Sequence, residues 1–475
     1  MFLMFSGDSH KQCRRLAGMR FLMSFVILLS CLGTCACKKV TNEFPTIPSA
    51  PTSESTDPSE SENTTVASAI ELTIASPLSY DTCQYLAKLY IAKSQGLLGD
   101  GVTGDTVDLS YLDSIDLPFL LKVYGTSETG CNSATLKKWK SNGSMPDIFL
   151  TDSFDEVVKD GLAMPVTSQL SSITLLSADR IYPRQVSQFF VNGEQYGIPY
   201  QTSCAVLFCD MEVLITAGIP AVSFRQSRNS LLTLLSQIDE LNAEEKTVLP
   251  FYQAEDMVPY LPCAMYNHTY LSSSSEEDQN EQAYRDSFSY VESLIRSGYS
   301  SETLTAEDSE LLFAGVSPLL SRKVGIWVGT TDQLPIYDNY MPNTLSLMQF
   351  PGMKDDEYTV PLLISYPFCV SSSCEDPQLA CELMSFIALD EDALLLSARL
   401  QPREGYLPSI SSPSVWSGIM SSRKYGNYLA QYYELMGQAI YIPSVSQSSL
   451  YQKDVEFLQE RIAGLFPIEP DEENE

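Results

Sequence analysis

The stretch from residue 192 to residue 219, NGEQYGIPYQTSCAVLFCDMEVLITAGI, constrains the fold of this chain more than any other. Asn192 and Gly193 favour the positive φ of a tight hairpin turn, after which a strand resumes from Tyr196 to Pro199. Pro199 has no N–H to donate, so ladder pairing is expected to lapse at that position. The stretch therefore predicts a hinge where a strand crosses between two lobes.

The residues that follow predict a strand and then a capped helix. AVLF has the composition of a short apolar strand. Asp210 is suited to cap the amphipathic segment MEVLITAG, and Gly218 is suited to end it. A change of direction is therefore expected directly after the crossing.

Apolar strands alternate with helical segments in the first part of the chain. IELTIASPL precedes a helix predicted over 82–94, LPFLLKVYG precedes ATLKKWKS, and PDIFLTDS precedes FDEVVKDGL. This alternation predicts parallel sheets with helices on both faces. Because ligands collect at the carboxyl ends of parallel strands, the loops expected to line a site are 76–80, 125–128 and 152–154.

The N-terminus predicts an exported protein with a lipid anchor. Met19 and Arg20 precede FLMSFVILLSCLGTCAC, an apolar run too short for a full membrane span, which resembles a lipoprotein signal. Leu28-Leu29-Ser30-Cys31 fits the acylation motif best, and Cys37 is the competing site. Either Met19 is the true start or the charged region is unusually long, and a retained anchor is the alternative to cleavage.

Composition excludes some classes of partner. Residues 40–69 are rich in Ser, Thr, Pro and Glu with almost nothing to bury, which predicts a disordered stalk. The formal net charge is −31, so nucleic acid and anionic lipid surfaces are not expected to bind. About 400 residues remain after the stalk, enough for two domains.

An ordered series of motifs resembles the extracellular solute-binding proteins of carbohydrate-type ABC importers. The series is NGEQYGIPY, SMPDIFLTDSFDEVVKDGLAMPV, FAGVSPLLSRKVGIWVGTTDQLP, YTVPLLISYPFCV and REGYLPS, and the resemblance spans roughly residues 70–462. It implies an α/β protein with the two-lobed periplasmic-binding-protein-like (type II) fold and a hinge of crossing strands. The implied parts are a leader (1–37), a stalk (38–69), lobe 1 (70–200 with 363–405), lobe 2 (201–362 with 406–466) and an acidic tail (467–475).

The resemblance also implies a function and a site. The chain is expected to be a monomer, held by its lipid on the extracytoplasmic face of the cell membrane, that delivers a small solute to ABC permease subunits. The solute is expected to be a carbohydrate, for which aromatic rings and directed polar groups are the usual ligands. The predicted binding residues are Tyr80, Glu128, Asp152, Ser153, Tyr200, Gln201, Ser203, Thr330, Thr331, Asp332, Tyr366 and Tyr406.

Individual residues of this set have structural alternatives. Asp152 is either a cleft residue or a helix cap, and each tyrosine is either a ligand contact or ordinary packing. Trp327 lies within an apolar strand and is expected to belong to the core.

The enzyme thiaminase I, which has the same fold, is the alternative function. It resembles this chain at several motifs, and Asp332 would take the place of its basic glutamate. Ungapped counting from Pro199 puts Ser203 at the position of its nucleophile, whereas Cys204 is displaced by one residue and would face away from the cleft. The aspartate in place of the glutamate and the serine in place of the cysteine both argue against the enzyme and for a binding protein.

Other chemistry has little support in the sequence. The chain contains two histidines, His10 and His268, so a serine hydrolase triad or a zinc site is not expected. No phosphate-binding glycine motif follows a strand, and no cofactor or metal is predicted. Eight cysteines follow the leader, and buried free thiols are favoured for them over a readable disulfide pattern.

Overall fold

The computed structural model describes residues 70–176, 180–266, 277–352 and 358–442. The predicted leader, stalk, acidic tail and acylation cysteines lie outside the described residues. The strands are β1 (Ile70–Ser76), β2 (Phe119–Gly125), β3 (Ile148–Leu150), β4 (Phe190–Val191), β5 (Glu194–Gln195), β6 (Gly197–Asp210), β7 (Leu249–Tyr252), β8 (Val324–Thr330), β9 (Leu345–Met348), β10 (Leu362–Val370) and β11 (Ile440–Tyr441).

The helices of the described residues lie between these strands and after them. They are α1 (Tyr80–Ser94), α2 (Leu109–Asp113), α3 (Ser133–Ser141), α4 (Phe154–Lys159), α5 (Thr167–Leu170), α6 (Pro183–Ser187), α7 (Met211–Thr216), α8 (Arg228–Asp239), α9 (Leu261–Tyr266), α10 (Glu277–Arg296), α11 (Ala306–Phe313), α12 (Leu334–Tyr340), α13 (Pro377–Leu389), α14 (Glu391–Leu400), α15 (Pro413–Ser421) and α16 (Gly426–Leu429).

One mixed sheet organises the described part of the chain. Its strand order is β2-β1-β3-β10-β6-β8-β7, with β11 paired to β10 and β9 paired to β6. β1 is parallel to β2 and β3, and β7 is parallel to β8. β10 runs antiparallel to β3 and to β6, and β6 runs antiparallel to β8. The predicted parallel pairing therefore holds at the two ends of the sheet and not at its centre.

β6 and β10 are the crossing strands that the sequence predicted. The hairpin before β6 turns at Asn192 (φ +53°) and Gly193 (φ +84°), which confirms the predicted turn. Pro199 lies opposite Pro367, and the register shifts between Tyr366 and Pro367. The pairing irregularity therefore falls where the sequence predicted it, because neither proline can donate to the ladder.

The crossing strand is longer than the sequence indicated. AVLF was expected to form a separate short strand, but it lies within the fourteen residues of β6, which are all buried. Strands buried on both faces read as continuous apolar runs in sequence. The polar residues of QTSC conceal this continuity, because their burial depends on neighbours that are distant in the chain.

The end of β6 is fixed by a buried ion pair. The Asp210 carboxylate caps α7 by accepting from the N–H of Glu212, as predicted. It also accepts from the guanidinium of Arg322, with 2.6 Å between Arg322 Nε and Asp210 Oδ2. The Asp210 side chain is fully buried, whereas the Glu212 carboxylate, which also binds Arg322, is 67% exposed.

The cysteines of the described residues are unpaired. Cys374 is partly exposed, and the other seven thiols are buried, namely Cys83, Cys131, Cys204, Cys209, Cys263, Cys369 and Cys381. This agrees with the expectation of buried free thiols. They contribute to the core as small apolar groups.

Candidate functional site

The predicted loops lie at the carboxyl ends of β1, β2 and β3. α1 starts at Tyr80, where the Ser79 hydroxyl accepts from the N–H of Thr82. The Tyr80 ring is 52% exposed, and its hydroxyl accepts from the Gln84 side chain at 2.6 Å. Tyr80 therefore lies on the surface of the first helical turn, at the edge of the loop.

Asp152 and Ser153 lie after β3. The Asp152 carboxylate accepts from the hydroxyls of Thr129, at 3.3 Å, and Ser153, at 2.7 Å. Ser153 is the residue that precedes α4, and its side chain does not cap the helix. The Asp152 carboxylate thus joins the loop after β3 to the loop after β2.

The loop after β2 reaches a buried arginine. Glu128 forms an ion pair with Arg403, and its carbonyl accepts from the same guanidinium at 3.2 Å. With its amide oxygen facing Arg403, Gln201 accepts from Arg403 Nη1 at 2.9 Å and donates to the Glu128 carbonyl at 2.8 Å. Arg403 therefore fastens the β2 loop to crossing strand β6.

Thr330 and Thr331 hold the loop after β8 in place. Thr330 starts a capping box with Gln333, and the N–H of Cys204 donates to Thr331 Oγ1 at 3.0 Å. Thr331 is buried. Both threonine side chains thus make structural bonds, and the Thr330 side chain also lies beside the Asp332 carboxyl, whose pKa it lowers.

Four of the predicted residues converge beside the crossing strands. They are Ser203, Asp332, Tyr366 and Tyr406, and three of their polar atoms are buried without a well-aligned hydrogen bond: Ser203 Oγ, Asp332 Oδ1 and Tyr406 Oη. The Ser203 hydroxyl still lies close enough to Asp332 and Tyr366 to lower the pKa of both. The rings of Tyr366 and Tyr406 meet edge to face, with 6.5 Å between centroids. Buried polar groups are nearly always paired, so a cluster without partners indicates a place where a ligand supplies them.

Electrostatics keep the phenols of this cluster neutral. Burial is the largest cause that raises the pKa of Asp332, Tyr366 and Tyr406, and the carboxylate of Asp332 raises the pKa of both tyrosines further. The Arg403 guanidinium lies over the Tyr406 ring, 5.1 Å from its centroid. The cluster therefore offers two neutral hydroxyl donors and a carboxylate acceptor to a bound molecule.

Tyr200 lies in an adjoining pocket. Its ring is 6% exposed and packs against Phe368, with 4.6 Å between centroids. With Gln201, Arg403, Tyr406 and Arg423 it lines a pocket of about 400 Å³, measured with the open space at its mouth. The Tyr200 ring is therefore mainly a packing residue.

Sequence reasoning missed two parts of this region. Arg403 lies in the motif REGYLPS, two residues before a glycine that brings two loops together, but it is absent from the predicted binding residues. Gly405 has φ +86°, and a Cβ there would lie 1.9 Å from the carbonyl oxygen of Thr331. The second part is the loop 253–258, which follows β7. It lies at the same edge of the sheet as the loop after β8 because β7 and β8 pair in parallel, and the sequence does not predict that pairing. For Arg403, a charged residue two positions before a glycine in a loop was the available signal.

Trp327 and Cys204 are both buried, and the structure confirms Trp327 as a core residue. Trp327 is 2% exposed and stacks on Phe208, with 5.7 Å between centroids, so it belongs to the core. The Cys204 thiol is fully buried and contacts the carbonyl of Ala205 at 3.4 Å. Burial raises the pKa of Cys204 to about 12, so the thiol stays protonated and lacks the thiolate of a nucleophile.

Cys204 is accordingly expected to resist alkylation in the native protein. Iodoacetamide labelling at pH 8, read out on peptides by mass spectrometry, should leave Cys204 unmodified until the chain unfolds, because the thiol is both buried and protonated. Cys374, the partly exposed cysteine, is the internal comparison. Because burial raises the pKa of Cys374 to about 12 as well, any difference in labelling between the two reports exposure. Rapid modification of Cys204 ahead of Cys374 would contradict this account.

Two features are not found among the described residues. These residues include no group of three or more His, Cys, Asp or Glu side chains that could hold a metal ion. None of their helices has the length and apolar character needed to cross a membrane.

Comparisons with known proteins define the class of fold. No family model and no curated protein sequence matches this chain. Among solved structures, an ABC substrate-binding protein from Listeria monocytogenes in complex with cycloalternan has a TM-score of 0.54 at 12% identity, covering 83% of this chain and 98% of its own. A cyclic alpha-maltosyl-1,6-maltose binding protein from Arthrobacter globiformis has a TM-score of 0.56 at 14% identity, covering 83% and 93%.

A third structure has the same relation to this chain. It is a family 1 extracellular solute-binding protein from Alicyclobacillus acidocaldarius, with a TM-score of 0.54 at 14% identity, covering 84% of this chain and 94% of its own. The chain therefore has the two-lobed α/β fold of extracellular solute-binding proteins, and the predicted fold class is confirmed. At these identities the likeness establishes the fold, and the function is argued from the site.

Proposed function

We propose that this protein is an extracytoplasmic receptor that captures a carbohydrate between two lobes and delivers it to an ABC permease. The observation that carries the proposal is the cluster of unpartnered polar atoms of Ser203, Asp332 and Tyr406 beside the crossing strands. The three structural neighbours are described as substrate-, sugar- or solute-binding proteins. The lobes are those predicted from the sequence, 70–200 with 363–405 and 201–362 with 406–466.

Closure follows from where the cluster residues originate. In the proposed division Asp332 and Tyr406 belong to lobe 2, whereas Tyr366 belongs to lobe 1 and Ser203 lies on crossing strand β6. A solute that bonds to residues of both lobes binds the closed state more tightly than the open one, and that difference in affinity shifts the hinge equilibrium. The hinge is the pairing irregularity at Pro199 and Pro367.

The chemistry of the cluster suits a saccharide. Tyr366 and Tyr406 present aromatic surface to the C–H face of a sugar, and their hydroxyls can bond to sugar hydroxyls. Asp332 accepts from a pair of hydroxyls in the same way. A small number of directed hydrogen bonds within an aromatic wall is enough to fix the orientation of a ligand.

The membrane attachment and the permease partner complete the proposal. The apolar leader followed by Cys31, or Cys37 as the competing site, supports acylation and anchoring at the outer face of the cell membrane. The thiaminase alternative is disfavoured by the buried, protonated thiol of Cys204. The protein is thus proposed to bind its solute without chemical change.

Loss of one unpartnered hydroxyl is expected to weaken binding without loss of stability. Calorimetry or thermal shift against mono- and oligosaccharides first identifies a ligand, since a ligand at 100 times its Kd adds about 2.7 kcal/mol to stability. Tyr406→Phe should then lower the affinity about tenfold, equivalent to about 1.4 kcal/mol. The free energy of unfolding without ligand should change little, because the hydroxyl forms no well-aligned hydrogen bond in the protein.

Tyr290→Phe is the matched control. Tyr290 is 1% exposed, and its hydroxyl is likewise buried without a partner, but it lies on α10 beneath Arg228. This variant should leave the affinity unchanged. Equal losses of affinity in both variants, or none in Tyr406→Phe, would remove Tyr406 from the site, and absence of any saccharide ligand would contradict the proposed function.

A further inference from the structure

A bulge in crossing strand β6 directs two consecutive side chains toward one pocket. Pro199 pairs with Pro367 in β10. Gln201 pairs with Tyr366, so Tyr200 is the extra residue between the two pairs. Consecutive side chains of a regular strand point to opposite faces, but a bulge re-aims one of them. Tyr200 and Gln201 accordingly both line the pocket between β6 and helices α14 and α15.

Two arginine side chains line the same pocket, and both contact Tyr406. The Arg403 guanidinium lies over the Tyr406 ring, 5.1 Å from its centroid. The Arg423 guanidinium donates from Nη1 to the carbonyl oxygen of Tyr406. Two positive charges are thus held around one residue of the pocket wall.

The two arginines differ in the partners that balance their charge. Arg403 forms an ion pair with Glu128. Among the described residues, no carboxylate forms an ion pair with Arg423. Glu404 lies close enough to raise the pKa of Arg423, but it makes no direct contact with the guanidinium, and Arg423 Nε is buried without a hydrogen-bond partner. Arg423 therefore brings a charge to the pocket that the protein leaves unpaired.

Burial makes this unpaired charge unfavourable. The surrounding protein, together with the neighbouring charge of Arg403, lowers the pKa of Arg423 to about 10, so the guanidinium is still positive at pH 7. A buried charge without a partner destabilises the folded state strongly. An anion bound in the pocket would supply the missing partner and remove that penalty.

The other polar groups of the pocket are also suited to an anion. Tyr406 is 5% exposed, and its hydroxyl forms no well-aligned hydrogen bond. The side chains of Tyr200, Gln201 and Ser397 add further groups that can donate. None of the described residues that line the pocket is acidic. A lining that is rich in donors and free of carboxylates favours a negatively charged ligand.

This pocket adjoins the cluster proposed to bind the solute. Tyr406 belongs to both. Gln201 and Ser203 lie in the regularly paired part of β6, and alternate residues of a strand share one face, about 7 Å apart. One ligand can therefore present hydroxyls to Asp332 and an acidic group to Arg423.

We propose that the solute is an acidic saccharide, such as a hexuronate, whose carboxylate binds to the Arg423 guanidinium and the Tyr406 hydroxyl. The inference rests on the proposed function and specifies its substrate class. The planar guanidinium matches the two oxygens of a carboxylate, and hydrogen bonds between charged groups are roughly twice as strong as those between neutral ones. The net charge of −31 opposes an anion little at this range, because charges farther away than about 8 Å are largely screened at physiological ionic strength.

Matched sugars test the inference in the intact protein. Glucuronate is compared with glucuronamide and glucose, and galacturonate with galacturonamide and galactose, because the amide keeps the shape of the acid and removes its charge. The 1,4-linked galacturonate and galactose disaccharides extend the comparison to a longer solute. Titration calorimetry at pH 7 and low salt should give an affinity at least about tenfold higher for the acid in the set that fits the site.

Arg423→Gln tests the assignment of the charge. Glutamine keeps an N–H that can donate to the carbonyl of Tyr406 but removes the positive charge. This variant should lower the affinity for the acid about tenfold and should remove most of the preference for the acid over the amide.

Arg180→Gln is the charge-matched control. Arg180 Nε is likewise buried without a partner, but its guanidinium lies 3.8 Å from the Glu391 carboxylate and does not line the pocket. This variant should leave the preference for the acid unchanged. An equal loss of preference in both variants would assign the effect to overall charge and overturn the inference.

The remaining outcomes separate the inference from the proposed function. Equal binding of acid and amide, or a preference for the neutral member, would overturn the acidic solute and leave the carbohydrate receptor intact. Failure of every saccharide to bind would overturn both. Since the preference is measured in the unaltered protein, it does not depend on whether a variant folds.

Discussion

Arg322→Met is expected to destabilise the folded protein by about 3–5 kcal/mol, which is the usual cost of leaving a buried charge without its partner. The Asp210 side chain has no exposed surface, and Arg322 donates to both of its oxygens, at 2.6 and 3.0 Å. Methionine retains much of the packing volume but removes the donors. Urea unfolding of the ligand-free protein, extrapolated linearly to water, measures the loss.

Glu212→Gln provides the comparison for this effect. Glu212 also binds Arg322, at 2.6 Å, but its side chain is 67% exposed, so the interaction is screened by water. Its loss should cost less than about 1 kcal/mol, as is usual for surface ion pairs. If Arg322→Met cost no more than Glu212→Gln, the Asp210 carboxylate would have to find another donor at the end of β6.

Gly405→Ala is expected to lower both stability and solute affinity. A Cβ at this position would lie 1.9 Å from the carbonyl oxygen of Thr331 and 3.0 Å from Cα of Asp332, so the two loops would have to separate. The positive φ of +86° adds strain. We expect a loss of about 3 kcal/mol or more in the free energy of unfolding, and a clear loss of affinity, because Tyr406 and Asp332 belong to the loops that move apart.

Gly218→Ala separates backbone strain from steric contact. Gly218 has a similar φ of +78°, but nothing lies within 4 Å of the position that a Cβ would take. This variant should cost about 1 kcal/mol and leave the affinity unchanged. Urea unfolding and calorimetry on both variants make the comparison, and similar results for the two glycines would contradict the close approach of the loops.

Local chemistry explains which parts of the fold the sequence predicts. The turn at Asn192 and Gly193, the irregularity at Pro199 and the cap at Asp210 each depend on a backbone property of the residue itself. Such properties act wherever the residue lies. The helices at 80–94 and 133–141 likewise follow from their periodicity and from the side-chain caps of Ser79 and Asn132, and the helix at 154–159 follows from its periodicity alone.

Long-range pairing explains what the sequence does not predict. The antiparallel pairing of β10 with β3 joins Phe368 to Leu150, and nothing in either segment specifies the other. Thr331 has the composition of a ligand contact, but its hydroxyl accepts from the Cys204 N–H because β6 passes beside the loop. Thr330 forms a capping box with Gln333 in its own loop. The role of Arg403 depends on the approach of Glu128 and Gln201, which come from two other segments.

The position of β10 within the sheet has a consequence for biosynthesis. β10 begins only at Leu362, yet it lies between β3 and β6, which are made much earlier. Until it arrives, both earlier strands lack the neighbour that completes their hydrogen bonds, and such non-local pairing slows folding. A nascent chain of this order therefore stays unfinished until late in synthesis.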